Sequence, residues 1–399
     1  MWESCFSPFD VRMLRLKTNV FIGVGAIQKM NYIAKMLKRK GVDKVIAVTG
    51  KGSYIKSGAW DPVVEALKSN GIEYVLYNEI KSNPTADQAD KAALMGRKFG
   101  AQAVIGIGGG SPIDAAKTVA VLLANPETNC RDLYEYKFIP KKAAPIVAIN
   151  LTHGTSTEIN RYAVVSIPEK QHKPGIVYDL LNPLYAINDP ALMTNLPEKQ
   201  SVYVSVDAVN HVFEAATSTI TTPLAILMAQ ETIRLVAEHL PKIIKDPKEL
   251  TSRYYLAYAA MIAGIALENG SIHITHAMEH PMSALKPDLS HGLGLSTIFP
   301  AVLRKVYASK APLIASIMAP IIPGLKGTED ETEAAVAGLK KWHASVGITE
   351  TLGDIGFKRE DIPRLVDLIY DTPTLEDGVK LCPTPCDRAA LTAIFEESF

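Results

Sequence analysis

Cysteine is scarce in this chain: Cys5, Cys130, Cys382 and Cys386 are the four in 399 residues. Cysteines so few and so spread do not make the disulfide framework of a secreted scaffold, and they fit a reduced, cytosolic compartment. Cys382-Pro-Thr-Pro-Cys386 is not a CxxC pair and has no second pair to complete a zinc site, so it reads as structural or incidental. A charge of one sign is also missing. Lysine plus arginine and aspartate plus glutamate number 42 each, without a basic or acidic block, which leaves no electrostatic footprint for nucleic acid or an anionic membrane. The longest apolar run, residues 254–267, is too short for a bilayer and reads as a buried helix. Met1-Trp-Glu-Ser-Cys5 has neither the basic start nor the apolar stretch of a secretory signal. There is no internal repeat and no low-complexity segment. What remains is a soluble, cytoplasmic protein with 47% hydrophobic and 21% charged residues, long enough for two packed domains.

The first half alternates short β-rich runs with helical patterns. Val45-Ile-Ala-Val-Thr49, Tyr74-Val-Leu-Tyr77, Ala103-Val-Ile-Gly-Ile107 and Pro145-Ile-Val-Ala-Ile149 read as strands. Helices are expected over 61–69, 86–99 and 112–123. Strands and helices in this order imply a parallel sheet with crossover helices. Beyond residue 190 the strand signals fade, and apolar residues recur at helical spacing through 202–217, 223–240, 250–267 and 332–346. The expected architecture is an α/β amino-terminal dinucleotide-binding domain over 1–190 and an all-helical metal-binding domain over 191–399.

Three turns of the first half suit phosphates. Gly106-Ile-Gly-Gly-Gly-Ser-Pro-Ile-Asp-Ala-Ala-Lys117 follows a strand and opens a helix. Its glycines admit close backbone approach, and the helix amino terminus favours negative charge. It is not the GxGxxG fingerprint, and a glycine turn without a ligand would read alike; the strand before it favours a pyrophosphate. At Thr49-Gly-Lys-Gly-Ser53, where many NAD enzymes keep an acidic side chain for the ribose, Gly50 leaves room and Lys51 and Ser53 offer donors to a 2′-phosphate. The alternative is a plain surface turn. Thr152-His-Gly-Thr-Ser-Thr-Glu158 is dense in hydroxyls that could bind phosphates or the nicotinamide amide, or simply cap a helix.

The second half carries two i,i+4 pairs, Asp207 with His211 and His276 with His280, followed by His291. On helices each pair shares one face. One carboxylate with several imidazoles is the mixed oxygen and nitrogen set that suits Fe(II) or Zn(II). Spacing alone leaves His273 open as a further ligand. His153, His172, His239 and His343 read as ordinary core or surface residues.

At these residues the chain resembles the iron-containing alcohol dehydrogenases, within the dehydroquinate synthase-like fold that also holds glycerol dehydrogenases. The resemblance runs through Asn83-Pro-Thr85, Gly108 to Lys117, Gly154-Thr-Ser-Thr-Glu158, Asn188-Asp-Pro190, Asp207 to Ala215, His276-Ala-Met-Glu-His-Pro281 and His291-Gly292. It implies Asp207, His211, His276 and His291 as ligands of Fe(II), with Zn(II) as the alternative, and His280 as a catalytic histidine beside the substrate. It also implies cofactor contacts from Gly109, Gly110, Ser111, Asp114, Thr152, Thr155 and Lys173. Gly50, Gly52 and Ser53 resemble the turn of members that prefer NADP(H), with NAD(H) as the second choice. The chain departs from the family pattern at Val204-Ser-Val206, at Lys286 and at His153.

The reaction so implied is reversible hydride transfer between NADP(H) and a short aliphatic alcohol or aldehyde. A metal would lower the alcohol pKa, and His280 would relay the proton. A glycerol dehydrogenase-like polyol enzyme and a dehydroquinate synthase-like lyase are the alternatives. The lyase would need a basic pocket, for which Lys286 is nearly the sole cation. The family further implies a homodimer through the strand around Val20–Gly23, and the balanced charge gives neither nucleic acid nor membrane as a partner.

Overall fold

The computed structural model describes Phe9, residues 12–15 and residues 17–399; the start Met1-Trp-Glu-Ser-Cys5 lies outside them. The described residues divide into two compact units. One takes those up to Ile167 with Gly175–Leu196 and Asp246–Tyr258; the other takes Pro168–Pro174, Pro197–Lys245 and Ala259–Phe399.

The first unit is built on strands β1 (Arg12–Arg15), β2 (Asn19–Ile22), β3 (Lys44–Gly50), β4 (Glu73–Ile80), β5 (Ala103–Gly108), β6 (Ile146–Asn150) and, far along the chain, β9 (Tyr185–Asn188). Their order is β1-β2-β9-β6-β5-β3-β4. β1 is antiparallel to β2, and the other six run parallel. A separate hairpin pairs β7 (Tyr162–Val164) with β8 (Gly175–Val177). Successive residues of a strand face opposite sides, and the central strands are apolar on both. Val45, Ile105, Val147 and Ile187 pack on one side with Ile33, Leu37, Val63 and Leu67. Ile46, Val104 and Ile146 pack on the other with Ala89, Ala93, Val119 and Leu122. Helices thus cover both faces, which an all-parallel sheet requires. Thr85 opens the helix Ala86–Phe99 with a capping box closed by Gln88, and Gly100 ends it in the left-handed region.

The β-rich runs of the sequence mark only β3 to β6; β2 is reached through the family resemblance alone, and β1, β7, β8 and β9 are not read from the sequence. β2 and β9 have four residues each and pair with each other, a partnership 163 or more positions apart that no local pattern carries. The strand around Val20 is flanked by β1 and β9. Its backbone donors are therefore taken, and among the described residues the edge strand on this side is β1.

Among its described residues the second unit has no strand. Its helices include Glu198–Thr217, Pro223–Lys245, Ile274–Leu285, His291–Val306, Thr332–Ser345, Ile362–Asp371, Leu375–Lys380 and Arg388–Glu397. The helix Glu198–Thr217 is buried all round from Ser201 onward, so it lacks a polar face and its charged residues stand out. The helix from Pro223 runs through Pro241 to Lys245 rather than stopping at 240. Proline removes one hydrogen bond there, and burial of Ile243 in the last turn offsets the loss. No helix among the described residues is long and apolar enough to cross a membrane.

Candidate active site

In the first unit, β5 pairs with β3 on one side and β6 on the other, with Thr49 beside Ile107 and Gly108 beside Asn150. The three phosphate-suited turns therefore leave the sheet side by side at the carboxyl ends of adjacent parallel strands, where open α/β sheets bind ligands. Gly109 precedes the helix Gly110–Ala124, and no side chain caps its first turn. Those amides are left for an anion. Thr152 and Thr155 press against the same turn. A Cβ on Gly109 would come 2.8 Å from Thr152 Cγ2, and one on Gly110 2.7 Å from Thr155 Cγ2, so only glycine lets the two loops meet. Gly52 precedes the short helix Ser53–Lys56.

The segment from Thr152 to Glu158 caps no helix; it is a loop. Two residues of the glycine-loop helix hold it in shape. Asp114 accepts from Thr157 Oγ1 (2.5 Å) and Val164 N (2.9 Å). Lys117, fully buried, donates to Thr157 Oγ1, Asn160 O and Tyr162 O at 2.6–2.8 Å. Asp114 thus faces the loop rather than standing free as a contact, and Lys117 is an organiser the sequence reading passed over.

In the second unit, Asp207, His276 and His291 bring ligand atoms within 4.8 Å of one another, and Glu279, His280 and His291 do the same. Asp207 Oδ1 lies 3.6 Å from His276 Nε2, 3.8 Å from His291 Nε2 and 3.6 Å from His211 Nδ1. His211 stacks on His276 with centroids 4.6 Å apart. Asp207 Oδ1, His276 Nε2 and His211 Nδ1 are buried and have no hydrogen-bond partner. Orphaned buried polar atoms are costly, and three around one point suit a cation. Tetrahedral bonds of about 2.1 Å would hold ligand atoms about 3.4 Å apart, close to the spacing found. The donor set fits Fe(II) or Zn(II).

Behind the histidines stand two glutamates that sequence reasoning missed. Glu214 Oε2 meets His276 Nδ1, and Glu279 Oε2 meets His291 Nδ1. Both carboxylates are fully buried. A carboxylate at Nδ1 keeps the proton there and turns the Nε2 lone pair toward the centre. Glu214 also accepts from Thr275 N (2.6 Å), and Glu279 accepts from Ser283 Oγ and faces Lys173 Nζ at 3.4 Å. Lys173 lies in the second unit, in the segment Pro168–Pro174. His280 Nδ1 donates to Lys173 O at 2.9 Å, leaving Nε2 as an acceptor. His273 is no ligand. Its Nδ1 caps the helix at Ile274 N, and its Nε2 meets Thr217 Oγ1 at 2.9 Å. Lys286 donates to Gly356 O at 2.6 Å and lies over the Phe357 ring.

Burial opposes ionisation of Asp207, yet His211, His276 and His291 together hold its carboxyl well below the usual range. Burial likewise opposes Glu214 and Glu279, and their imidazole neighbours, with Lys173 beside Glu279, still bring both down to about 2. His211 falls to about 4, mainly through burial. His276 rises to about 9, because Glu214 and then Asp207 outweigh its burial. His280 is pushed well below its ordinary value by burial and by Lys173. Three ionised carboxylates around one lysine leave the cluster anionic when its imidazoles are neutral, the state in which it would receive a divalent cation.

Both halves of the chain match the two halves of one family. Residues 17–190 match the model for iron-containing alcohol dehydrogenase, and residues 201–399 match that for the carboxy-terminal part of the Fe-containing alcohol dehydrogenase family. The chain is 52% identical over 399 residues, the full length of both, to a long-chain primary alcohol dehydrogenase of Thermoanaerobacter ethanolicus. It is 28% identical over 387 residues, 96% of each, to an NADPH-dependent butanol dehydrogenase of Clostridium saccharobutylicum. Among solved structures, an NADH-dependent butanol dehydrogenase of Thermotoga maritima matches with a TM-score of 0.89 and 29% identity, covering 98% of this chain and 99% of that one. The chain belongs to the iron-containing alcohol dehydrogenases. It is an oxidoreductase, and the family implies iron and a nicotinamide dinucleotide as its cofactors.

Proposed function

We propose that the chain interconverts primary alcohols and aldehydes, short aliphatic ones included, with NADP(H) preferred over NAD(H), and that Asp207, His211, His276 and His291 hold its metal. The observation that carries this reading is the convergence of buried, unpartnered Asp207 Oδ1, His211 Nδ1 and His276 Nε2. When bound, Fe(II) supplies a Lewis acid for the substrate oxygen and the nicotinamide a hydride carrier. The chain's own residues do the rest. Glu214 and Glu279 orient the ligand imidazoles. His280, with Nδ1 committed to Lys173 O, can take the alcohol proton at Nε2 and pass it on. Gly109, Gly110, Ser111, Thr152 and Thr155 cradle the pyrophosphate; Asp114 and Lys117 keep the hydroxyl loop in place.

The NADP reading rests on Gly50, where no side-chain charge opposes a 2′-phosphate, with Gly52 and Ser53 beside it. Relatives of both preferences exist, as the names of the two butanol dehydrogenases state. The functional division, dinucleotide in 1–190 and metal in 191–399, belongs to the same proposal; so do a cytoplasmic location and a homodimer. The lyase reading loses support because Lys286 is engaged by Gly356 and Phe357.

The test is anaerobic purification, metal analysis and reduced-nicotinamide absorbance, with a series of aldehydes from butanal upward and either NADPH or NADH. Metal-dependent oxidation of NADPH well above NADH is expected. Bound metal without turnover on any aldehyde would discard the substrate class. His276→Ala should lose metal and turnover together. His280→Ala should keep metal and lose about 10²–10⁴-fold in kcat; full metal occupancy and normal turnover in His276→Ala would sink the ligand assignment.

A further inference from the structure

Cys382 and Cys386 complete no zinc site, and among the described residues neither joins a group that could hold a metal. They lie between the helices Leu375–Lys380 and Arg388–Glu397, where the chain bends at 382–384. Pro383 and Pro385 have fixed φ, so the connection has little freedom to spread. The bend brings both side chains to one depression of about 540 Å³, shared with Tyr370, Glu376, Lys380 and Asp387. There Thr384 Oγ1 approaches the Cys382 sulfur at 3.5 Å, and Cys386 lines the same depression four residues on. Cys382 is buried, while Cys386 keeps part of its surface in solvent.

We propose that Cys382 and Cys386 form a reversible dithiol–disulfide site that is oxidised by small disulfides of the glutathione class. Thiol–disulfide exchange needs a thiolate, access and a second thiol within reach. Hydrogen bonding from Cys386 and Thr384 favours the Cys382 thiolate over the opposing effect of burial. That thiolate attacks one sulfur of the oxidant and expels the other half as a thiolate. Cys386 then loses its proton to solvent and attacks the mixed disulfide at the Cys382 sulfur, and the second half leaves. Two thiols are oxidised, one small disulfide is reduced to two thiols, and the electrons balance. Cys130 offers the contrast: it is fully buried, and burial pushes its thiol up, so it stays inert.

The site also touches the support of the metal cluster. Gly378 of the helix Leu375–Lys380 lies so close to the helix Ile274–Leu285 that a Cβ there would come 3.2 Å from His273 O. Leu381 O, next to Cys382, accepts from Thr219 N at 3.0 Å. A disulfide would fasten this segment directly to the start of the last helix.

The experiment exposes the full-length, metal-loaded protein to oxidised glutathione. It then counts free thiols after denaturation and maps peptides by mass. The expected result is a fall from four free thiols to two, with a Cys382–Cys386 crosslink that dithiothreitol reverses. The Cys386→Ser variant, unable to close, should instead accumulate a glutathione adduct on Cys382. A stable adduct on the unaltered protein without the crosslink would overturn the proposal, because it would show that the two sulfurs cannot meet. Four free thiols remaining after exposure would overturn it as well.

Discussion

Glu214 and Glu279 set what the candidate ligands can do, although neither carboxylate points at the centre. Each holds the Nδ1 proton of a histidine whose Nε2 faces Asp207. Without the carboxylate the imidazole is free to take the other tautomer or to turn. Glu214→Ala should therefore weaken metal binding by about 10–100-fold, the usual cost of losing such a partner. Glu214→Gln, whose Oε1 can still accept from Nδ1–H, should weaken it less. Competition with a chelator of known affinity reads the difference, and equal losses in the two variants would assign Glu214 to packing alone. Both glutamates stand three residues after a candidate ligand, Glu214 after His211 and Glu279 after His276. Their strings were legible as family motifs, but their role was not, since spacing does not say which way a buried carboxylate turns. A usable sign was present at Phe213-Glu-Ala215, where a charge interrupts a helix that is otherwise buried all round. Gly50 carries the second prediction at this scale. A Cβ there would lie 3.1 Å from Ile80 O, a contact a small shift relieves, so Gly50→Asp should fold. Its carboxylate would oppose a 2′-phosphate and accept from ribose hydroxyls instead. The ratio of kcat/KM for NADPH over NADH should fall at least about tenfold, a change of 1.4 kcal/mol; an unchanged ratio would remove Gly50 from the cofactor reading.

Between elements, the decisive contact is the crossing of the helices Glu198–Thr217 and His291–Val306. The first carries Asp207 and His211, and the second begins with His291. Gly292 lies directly on the backbone of Tyr203, and a Cβ there would overlap the Tyr203 carbonyl. Backbone cannot rotate away as a flexible side chain can, so Gly292→Ala must part the helices at the point where His291 approaches Asp207. Overpacking of this kind costs about 1–3 kcal/mol. The expected outcome is a lowered Tm together with weaker metal binding, followed by thermal melts and metal titration of the same preparation. A Tm that falls while metal affinity holds would mean that the crossing supports the fold but not the ligand geometry. Periodicity found the longer of these elements, because the helices over 86–99 and 332–346 and the strands at 45–49 and 103–107 lie in strong, uninterrupted patterns. It missed β9 and β2, where four residues are too few to establish a period and the partner is remote. It also could not foresee that Gly292 fixes a helix crossing, since a glycine after a histidine looks alike in a turn and in a packed helix.

For the molecule as a whole, balanced charge leaves acid stability to buried groups, and His343 is one that lies away from the metal cluster. It is buried beside the rings of Trp342 and Phe299, and its Nε2 has no hydrogen-bond partner. Burial brings its pKa down to about 3 from the ordinary 6.5. The folded chain thus keeps this imidazole neutral where the unfolded chain protonates it. Its contribution is complete above pH 6.5 and is lost as the pH falls from 6.5 toward 3, by about 1.4 kcal/mol per pH unit at most. Protonation of the cluster histidines adds to acid unfolding, so the measurement is a difference. Denaturant titrations of the metal-loaded protein and of His343→Leu at pH 7, 6 and 5 would be compared. Leucine cannot be protonated, and it removes an unpartnered buried nitrogen, so the variant should lose less stability than the original chain between pH 6 and 5. Parallel losses in the two proteins would place acid sensitivity elsewhere, in the anionic cluster whose carboxylates and imidazoles depend on one another's charge.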